Sequence, residues 1–178
     1  QLLKMPWSNG LNWILQDSPM HPAISVIIFT TFSGMGYGLF IWLCANILAG
    51  SGLSDDEIFS GTALSFILVS IGLISSTLHL GHPERAWRAL SQWRSSWLSR
   101  EGIMAILTYG PMVIIGGQAY LGVWSSSLVM PMAVLGILGS VVTIFTTSMI
   151  YASLKSIPAW HNVWVKIGYQ AYALSSGG

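Results

Sequence analysis

A short region in the middle of the chain concentrates side chains that can exchange protons or stabilise negative charge. The sequence HLGHPERAWR covers residues 79–88, and a second cluster, WRSSWLSRE, covers residues 93–101. Histidine titrates near neutral pH, a carboxylate can accept a proton, and arginine stays positively charged. His79, Arg85 and Glu101 therefore form a candidate site in which protons move beside a fixed cation.

This combination suits the chemistry of quinones if the residues lie at a membrane surface. Oxidation of a quinol by two electrons releases two protons, so each ring oxygen needs a partner that can accept or give a proton. An arginine can polarise a ring carbonyl or stabilise negative charge on the reduced ring. We interpret His79, Arg85 and Glu101 as candidate quinone-binding residues.

The same residues also have structural interpretations. His79 is explained as a residue favoured by the dipole at the C-terminal end of a helix. Glu101 is explained as a carboxylate in the first turn of the next helix, with Ser99 as the N-cap. Arg88 and Arg94, with the neighbouring tryptophans, fit a set of anchors at the membrane interface.

The composition is typical of a membrane protein. Of 178 residues, 53% are hydrophobic and 7% are charged, whereas a soluble domain usually carries about 25% charged residues. A net charge of +1 offers no basic surface for a phosphate backbone, which excludes a nucleic-acid-binding protein. The single cysteine, Cys44, excludes a disulfide framework or a thiolate metal cage within the chain. We predict no metal site on this chain, so redox metal clusters would belong to a partner.

The positions of the charged residues outline the helices. A charge near the centre of a bilayer costs at least about 2.5 to 3.5 kcal/mol, so charge-free stretches are candidate spans. The last of these stretches, residues 102–154, is long enough for two helices of about 20 residues each. We predict helices free of charged residues near positions 23–48, 59–80, 103–123 and 130–153, and a shorter fifth apolar segment from Val163.

The predicted fold class is therefore all-α: a polytopic bundle of transmembrane helices with four complete spans and a partial fifth. Residues 1–20 are interpreted as an interfacial N-terminal segment, and residues 21–178 as the transmembrane domain. Because the fifth segment is short, we expect the chain to be the front part of a longer protein. Gly34 and Gly38 have the GxxxG spacing that lets helices pack closely.

The connections between the predicted helices differ in charge. The connection between helices 2 and 3 holds four arginines, while that between helices 1 and 2 holds three acidic residues and no base. The positive-inside rule then places the arginine-rich loop and the N-terminus in the cytoplasm. All four histidines fall on this side and none lies in the middle of a span, where the two axial ligands of a b-type haem are normally found, so no haem is predicted.

The two central clusters resemble the hallmark loop of the DMSO reductase membrane-anchor family. Two further segments also resemble this family. The first runs from HPA to FTT and the glycines that follow, and the second runs from IY to IPAW. The resemblance therefore covers nearly everything from Met20 onward. The residues that carry the resemblance are 79–90, 96–101, 21–38 and 150–160.

The resemblance implies a haem-free integral subunit of a complex iron–sulfur molybdoenzyme with a site for a quinone, either menaquinone or ubiquinone. The histidine, arginine and glutamate that act at this site in the family match His79, Arg85 and Glu101 here. Members of the family resemble eight-helix proteins, and the subunit contributes a quinone site to an oxidoreductase without catalytic residues of its own.

The resemblance also implies the partners. These are an iron–sulfur cluster subunit, a catalytic subunit with a molybdenum cofactor, and the lipid bilayer of a bacterial inner membrane. Arg88, Arg94 and Arg100 are the candidates for docking a partner subunit. Among the relatives, a cytoplasmic loop favours an anchor of the sulfite dehydrogenase type, which feeds electrons from sulfite into the quinone pool.

Two other functions compete with a quinone-binding anchor. A purely structural anchor would hold its partner without a quinone site of its own. A transporter or channel fragment normally has ionisable residues within its spans or paired broken helices, and the predicted charge-free spans disfavour it.

Overall fold

The structure, a computed structural model, describes residues 20–78, 90–153 and 163–178. Within these ranges the chain forms helices and no strand, which confirms the predicted all-α fold class. The helices are α1 (Met20–Ala49), α2 (Asp55–Leu78), α3 (Trp97–Leu121), α4 (Ser126–Ala152) and α5 (Val163–Gly177).

Helices α1 to α4 are each long and apolar enough to cross a membrane, with spans of 23 to 27 residues. Helix α5 has 15 residues and is too short to do so. The prediction of four complete spans and a shorter fifth helix is therefore confirmed. The predicted interfacial segment falls almost entirely on residues 1–19, which lie outside the described residues.

The four long helices form a ring in which each helix packs against the next and α4 closes against α1. Helix α5 lies outside this ring and packs against α1 and α4. The interior is filled by apolar side chains from all four long helices, and Phe40, Val69, Met112 and Ile144 are each at most 1% exposed. Neighbouring helices run antiparallel, so the start of α3 lies at the same end of the ring as the end of α2.

Small residues let the helices approach closely, as is common where helices pack within a bilayer. A Cβ atom at Gly38 would overlap the backbone carbonyl of Ala173 in α5. A Cβ atom at Gly36 would lie 2.8 Å from a methyl carbon of Val69 in α2. Gly34 also faces Ala173, so the GxxxG pair serves close packing against α5.

Helix α2 begins at Asp55, four residues before its predicted start. The reason is a capping box, in which a serine and a glutamate three residues later satisfy each other's free backbone N–H groups. The backbone N–H of Ser54 donates to Glu57 Oε2 at 2.8 Å, and the N–H of Glu57 donates to Ser54 Oγ at 3.3 Å. The acidic residues that marked a loop in the sequence thus form the first turn of a helix.

Helix α3 begins at Trp97, six residues before its predicted start. Its N-cap is Ser96, whose Oγ accepts a hydrogen bond from the backbone N–H of Ser99 at 3.4 Å. The prediction that Ser99 is the N-cap is therefore wrong. The expectation of charge-free spans is wrong as well, because Arg100 and Glu101 belong to α3. Both residues lie near the start of this helix, where a charge costs less than at the bilayer centre.

Candidate functional site

Glu101 is buried inside the bundle, one turn from the start of α3. Its side chain is 3% exposed, and it is the one buried charged residue among the described side chains. Glutamate is almost never fully buried in proteins unless it is paired. An ionisable residue within a membrane span marks a functional site by default. This burial sets Glu101 apart from the acidic residues at the opposite end of the bundle, which are exposed.

The hydrogen-bond partner of Glu101 lies on another helix. Thr147 of α4 donates its hydroxyl to Glu101 Oε1 at 2.5 Å, and this threonine is itself 3% exposed. The same hydroxyl lies 3.0 Å from the backbone carbonyl oxygen of Thr143, one turn earlier in α4. Glu101 is thus held by the contact between α3 and α4, and among the described residues this hydrogen bond joins it to a threonine rather than to a cation.

Further hydroxyl groups continue from Thr147 toward the middle of the bundle. Thr143 Oγ1 and Thr108 Oγ1 lie 3.4 Å apart across the contact between α4 and α3. Each also donates to a carbonyl oxygen of its own helix at 2.7 Å, which satisfies the hydroxyl inside an apolar environment. We call Thr108, Thr143 and Thr147 the hydroxyl seam.

Three tyrosines from three helices interact electrostatically with the Glu101 carboxyl group: Tyr37 of α1, Tyr151 of α4 and Tyr169 of α5. The rings of Tyr151 and Tyr169 stack with their centroids 6.2 Å apart. Tyr37 is 2% exposed, and its hydroxyl has no hydrogen bond of normal geometry to a described residue. Glu101 therefore has one hydrogen-bond partner in α4 and lies within electrostatic range of tyrosines from α1, α4 and α5.

Sequence reasoning missed these partners of Glu101. Thr147 and the tyrosines lie far from Glu101 in the chain and belong to no local motif. One signal in the sequence could have found the threonines. Ser140, Thr143 and Thr147 have the i, i+3, i+7 spacing of one helix face, and they form a polar stripe along an otherwise apolar helix.

The guanidinium group of Arg100 is hydrogen-bonded to the backbone just before α3. Its Nε donates to the backbone carbonyl oxygen of Trp93 at 2.9 Å, and its Nη2 donates to that of Arg94 at 2.8 Å. Its guanidinium group also lies over the ring of Trp97, 4.3 Å from the centroid. These contacts fix the turn that precedes α3. Arg94 is exposed, with its guanidinium group 5.4 Å from the ring centroid of Trp93.

His79, Arg85 and Arg88 lie outside the described residues. The structure describes α2 up to Leu78, and this end of α2 is at the same end of the bundle as Glu101. The end of α2 and the start of α3, between which residues 79–89 lie in the chain, are thus at the same end of the bundle as the buried carboxyl group. A common site of His79, Arg85 and Glu101 stays a prediction.

Comparisons with known proteins identify related anchors. The chain is 35% identical over 158 residues to the C subunit of sulfite dehydrogenase from Allochromatium vinosum, and this alignment covers 80% of the chain and 48% of the relative. It is 29% identical over 150 residues to the C polypeptide of anaerobic dimethyl sulfoxide reductase from Escherichia coli, with 81% of the chain and 51% of the relative covered. The chain spans about half the length of these curated relatives.

A third relative, the YnfH polypeptide of an anaerobic dimethyl sulfoxide reductase from Escherichia coli, is 25% identical over 157 residues. This alignment covers 85% of the chain and 54% of the relative. No solved structure matches the chain. Residues 19–178 match the family model described as DMSO reductase anchor subunit (DmsC). Together with four helices that can cross a membrane, this match shows that the chain is an integral membrane protein that belongs to the DMSO reductase anchor subunit family.

Proposed function

We propose that this chain is the anchor subunit of an iron–sulfur molybdoenzyme and that it contributes a binding site for a quinone or quinol. The observation that carries the proposal is the buried Glu101, a carboxyl group inside a membrane span that is hydrogen-bonded to a different helix. Burial of a charged group is costly, so its placement needs a reason beyond helix formation. A need for proton exchange at the membrane surface supplies that reason.

Glu101 fits a quinone site in this proposal when it is combined with His79 and Arg85 of the sequence motif. A carboxyl group, a histidine and an arginine provide a proton acceptor, a second proton-exchanging group and a fixed cation for the two ring oxygens. When bound, a quinol supplies two electrons and two protons. Glu101 accepts one proton at its carboxylate and passes it to the aqueous phase, His79 serves the second ring oxygen, and Arg85 stabilises the negative charge.

The electrons are exchanged with an iron–sulfur partner subunit, which connects the site to a catalytic subunit with a molybdenum cofactor. We assign this chain to the sulfite dehydrogenase type. The support is the 35% identity to the sulfite dehydrogenase relative, which exceeds the 29% identity to the dimethyl sulfoxide reductase relative.

The site faces the cytoplasm from a bacterial inner membrane in this proposal. Arg94 and Arg100 lie at the end of the bundle that holds Glu101, while Asp55, Asp56 and Glu57 lie at the other end. The positive-inside rule places the arginine-rich end in the cytoplasm. The exposed Arg94 then faces the soluble partner subunits, and we assign Arg88, six residues earlier in the chain, to the same docking surface.

The proposal is tested by quinol-linked turnover of the assembled complex in a Glu101→Gln variant. Glutamine keeps the size of the side chain and loses the proton-accepting carboxylate, so we expect turnover to fall by about a hundredfold. Glu57→Gln is the matched control, because glutamine can replace glutamate in a capping box, and this variant should keep wild-type turnover. Wild-type turnover of Glu101→Gln with the partner subunits attached would instead indicate a purely structural anchor.

A further inference from the structure

Thr147 is placed so that it can form a hydrogen bond with Glu101 in either protonation state of the carboxyl group. A threonine hydroxyl has one proton to donate and lone pairs that accept. Two acceptors lie within reach of Thr147 Oγ1: Glu101 Oε1 at 2.5 Å and the carbonyl oxygen of Thr143 at 3.0 Å. The hydroxyl proton can point to only one of them at a time.

These two acceptors correspond to two states of the site. When Glu101 is ionised, Thr147 donates to the carboxylate. When Glu101 is protonated, the carboxyl O–H donates to Thr147 Oγ1, and the threonine proton turns to the carbonyl of Thr143. Each state leaves the hydroxyl and the carboxyl group paired, so neither state contains an unsatisfied buried donor at this contact.

We infer that Thr147 is a positioning residue that holds Glu101 in place through gain and loss of a proton by switching its own hydrogen-bond donor between Glu101 and Thr143. This inference rests on the proposed function and deepens it, because it names the group that keeps the proton-exchanging carboxyl group in one position. Glu101 takes its proton from a quinol or from water and returns it to water. Thr147 neither gains nor loses a proton.

Among the described residues, Thr147 donates the hydrogen bond that reaches Glu101, so the positioning role falls to it. Within the ranges that the structure describes, the titratable groups that interact with Glu101 are Tyr37, Tyr151 and Tyr169 from the neighbouring helices. Their interactions with the carboxyl group are electrostatic, whereas the hydrogen bond to Glu101 comes from Thr147.

The chain offers a matched set of variants for the test. Thr147→Val removes the hydroxyl and keeps the shape, and Thr147→Ser keeps the hydroxyl. Thr146→Val is the control, because Thr146 is also buried, at 4% exposed, and donates at 2.8 Å to the same carbonyl oxygen of Thr143 without contacting Glu101 through a hydrogen bond. All variants are compared as assembled complexes with their partner subunits.

The first readout is quinol-linked turnover. We expect Thr147→Val to lower kcat by about tenfold with little change in KM, since one hydrogen bond to an ionised group is lost. Thr147→Ser should restore most of this loss, and Thr146→Val should resemble the wild type. Equal turnover in Thr147→Val and Thr146→Val, in a complex where Glu101→Gln is still defective, would overturn the inference and leave the proposed function intact.

The second readout is the carboxyl C=O band in infrared difference spectra recorded between low and high pH, which does not depend on quinone binding. The band of Glu101 is the one that Glu101→Gln removes. It should move to higher wavenumber in Thr147→Val, because the carboxyl group loses a hydrogen bond, and stay in place in Thr147→Ser and Thr146→Val. An unmoved band in Thr147→Val, or no band that Glu101→Gln removes, would contradict the inference even if the quinone proposal had failed on turnover.

Discussion

Two glutamates near the beginnings of two membrane helices have opposite surroundings. Glu57 is exposed at the start of α2, and its carboxylate accepts hydrogen bonds from the backbone N–H and the hydroxyl of Ser54 at 2.8 and 2.7 Å. Glu101 is buried at the start of α3, and its partner Thr147 belongs to α4. The local helix explains Glu57 completely, whereas nothing in the local structure of α3 requires a carboxylate at position 101.

This difference separates a residue that stabilises its own helix from one that the bundle holds for another purpose. A capping residue raises the free energy of unfolding, and this contribution to stability does not depend on any ligand. A buried carboxyl group that does not cap its helix is a cost that function must justify. The two glutamates should therefore respond differently to substitution, one in stability and the other in activity.

The contact between α3 and α4 beside the hydroxyl seam is the place where the surroundings of Glu101 can be disturbed most strongly. A Cβ atom at Gly139 would lie 2.7 Å from Thr108 Oγ1, so Gly139→Ala forces the threonine or the helix to move. We expect a loss of about 1 to 3 kcal/mol in stability from this overpacking, together with reduced turnover. Gly117→Ala is the control, since a Cβ atom there meets nothing within 4 Å. Thermal unfolding of the solubilised complex gives the comparison, and equal stability of the two variants would argue against a tightly packed site.

A substitution in the capping box of α2 should lower the stability of the protein without lowering its turnover. Ser54→Ala removes the side chain that accepts from the Glu57 backbone N–H, and we expect a loss of about 0.5 to 2 kcal/mol in stability. Quinol-linked turnover per assembled complex should not change, because this end of the bundle is remote from Glu101. A fall in turnover without a fall in thermal stability would break the distinction between the two ends.

The smallest expected effect concerns the exposed Arg94. Single surface charges contribute little to binding, so Arg94→Ala should weaken attachment of the soluble subunits by about 0.2 to 1 kcal/mol. The effect should shrink as salt is added. Release of the partner subunits from washed membranes at increasing ionic strength measures it, with Asp56→Asn at the opposite end as the control. Equal release from both variants would remove Arg94 from the docking surface.

The sequence predicted the number of membrane spans well because long charge-free stretches are a strong physical constraint in a bilayer. It misplaced the starts of α2 and α3 because every charged residue was assigned to a loop. The Ser54 to Glu57 spacing is a capping box that could have been recognised, and Ser96 is likewise an ordinary N-cap residue. Both errors have the same origin: polar residues are tolerated at a helix start near the membrane surface, so a charged residue there does not mark a loop.

The candidate site was predicted only in part. Glu101 stood out by its residue type and by its place in a motif, and the structure shows that it is buried. Thr147 and Tyr37 could not be assigned to the site because their relation to Glu101 arises from packing between helices that are distant in sequence. The sequence predicts that Arg100 docks a partner, but the structure gives its guanidinium group two backbone carbonyl partners, which only the folded turn before α3 brings together.

The central claim is that the carboxyl group of Glu101 belongs to a quinone site on this chain. Equilibrium binding of a fluorescent quinol analogue to the assembled complex tests it directly, with Glu101→Gln compared with Glu57→Gln. We predict that the affinity falls by about tenfold or more in Glu101→Gln and keeps its wild-type value in Glu57→Gln. Equal affinity in both variants, with the partner subunits still attached, would contradict the claim and place the quinone site elsewhere in the complex.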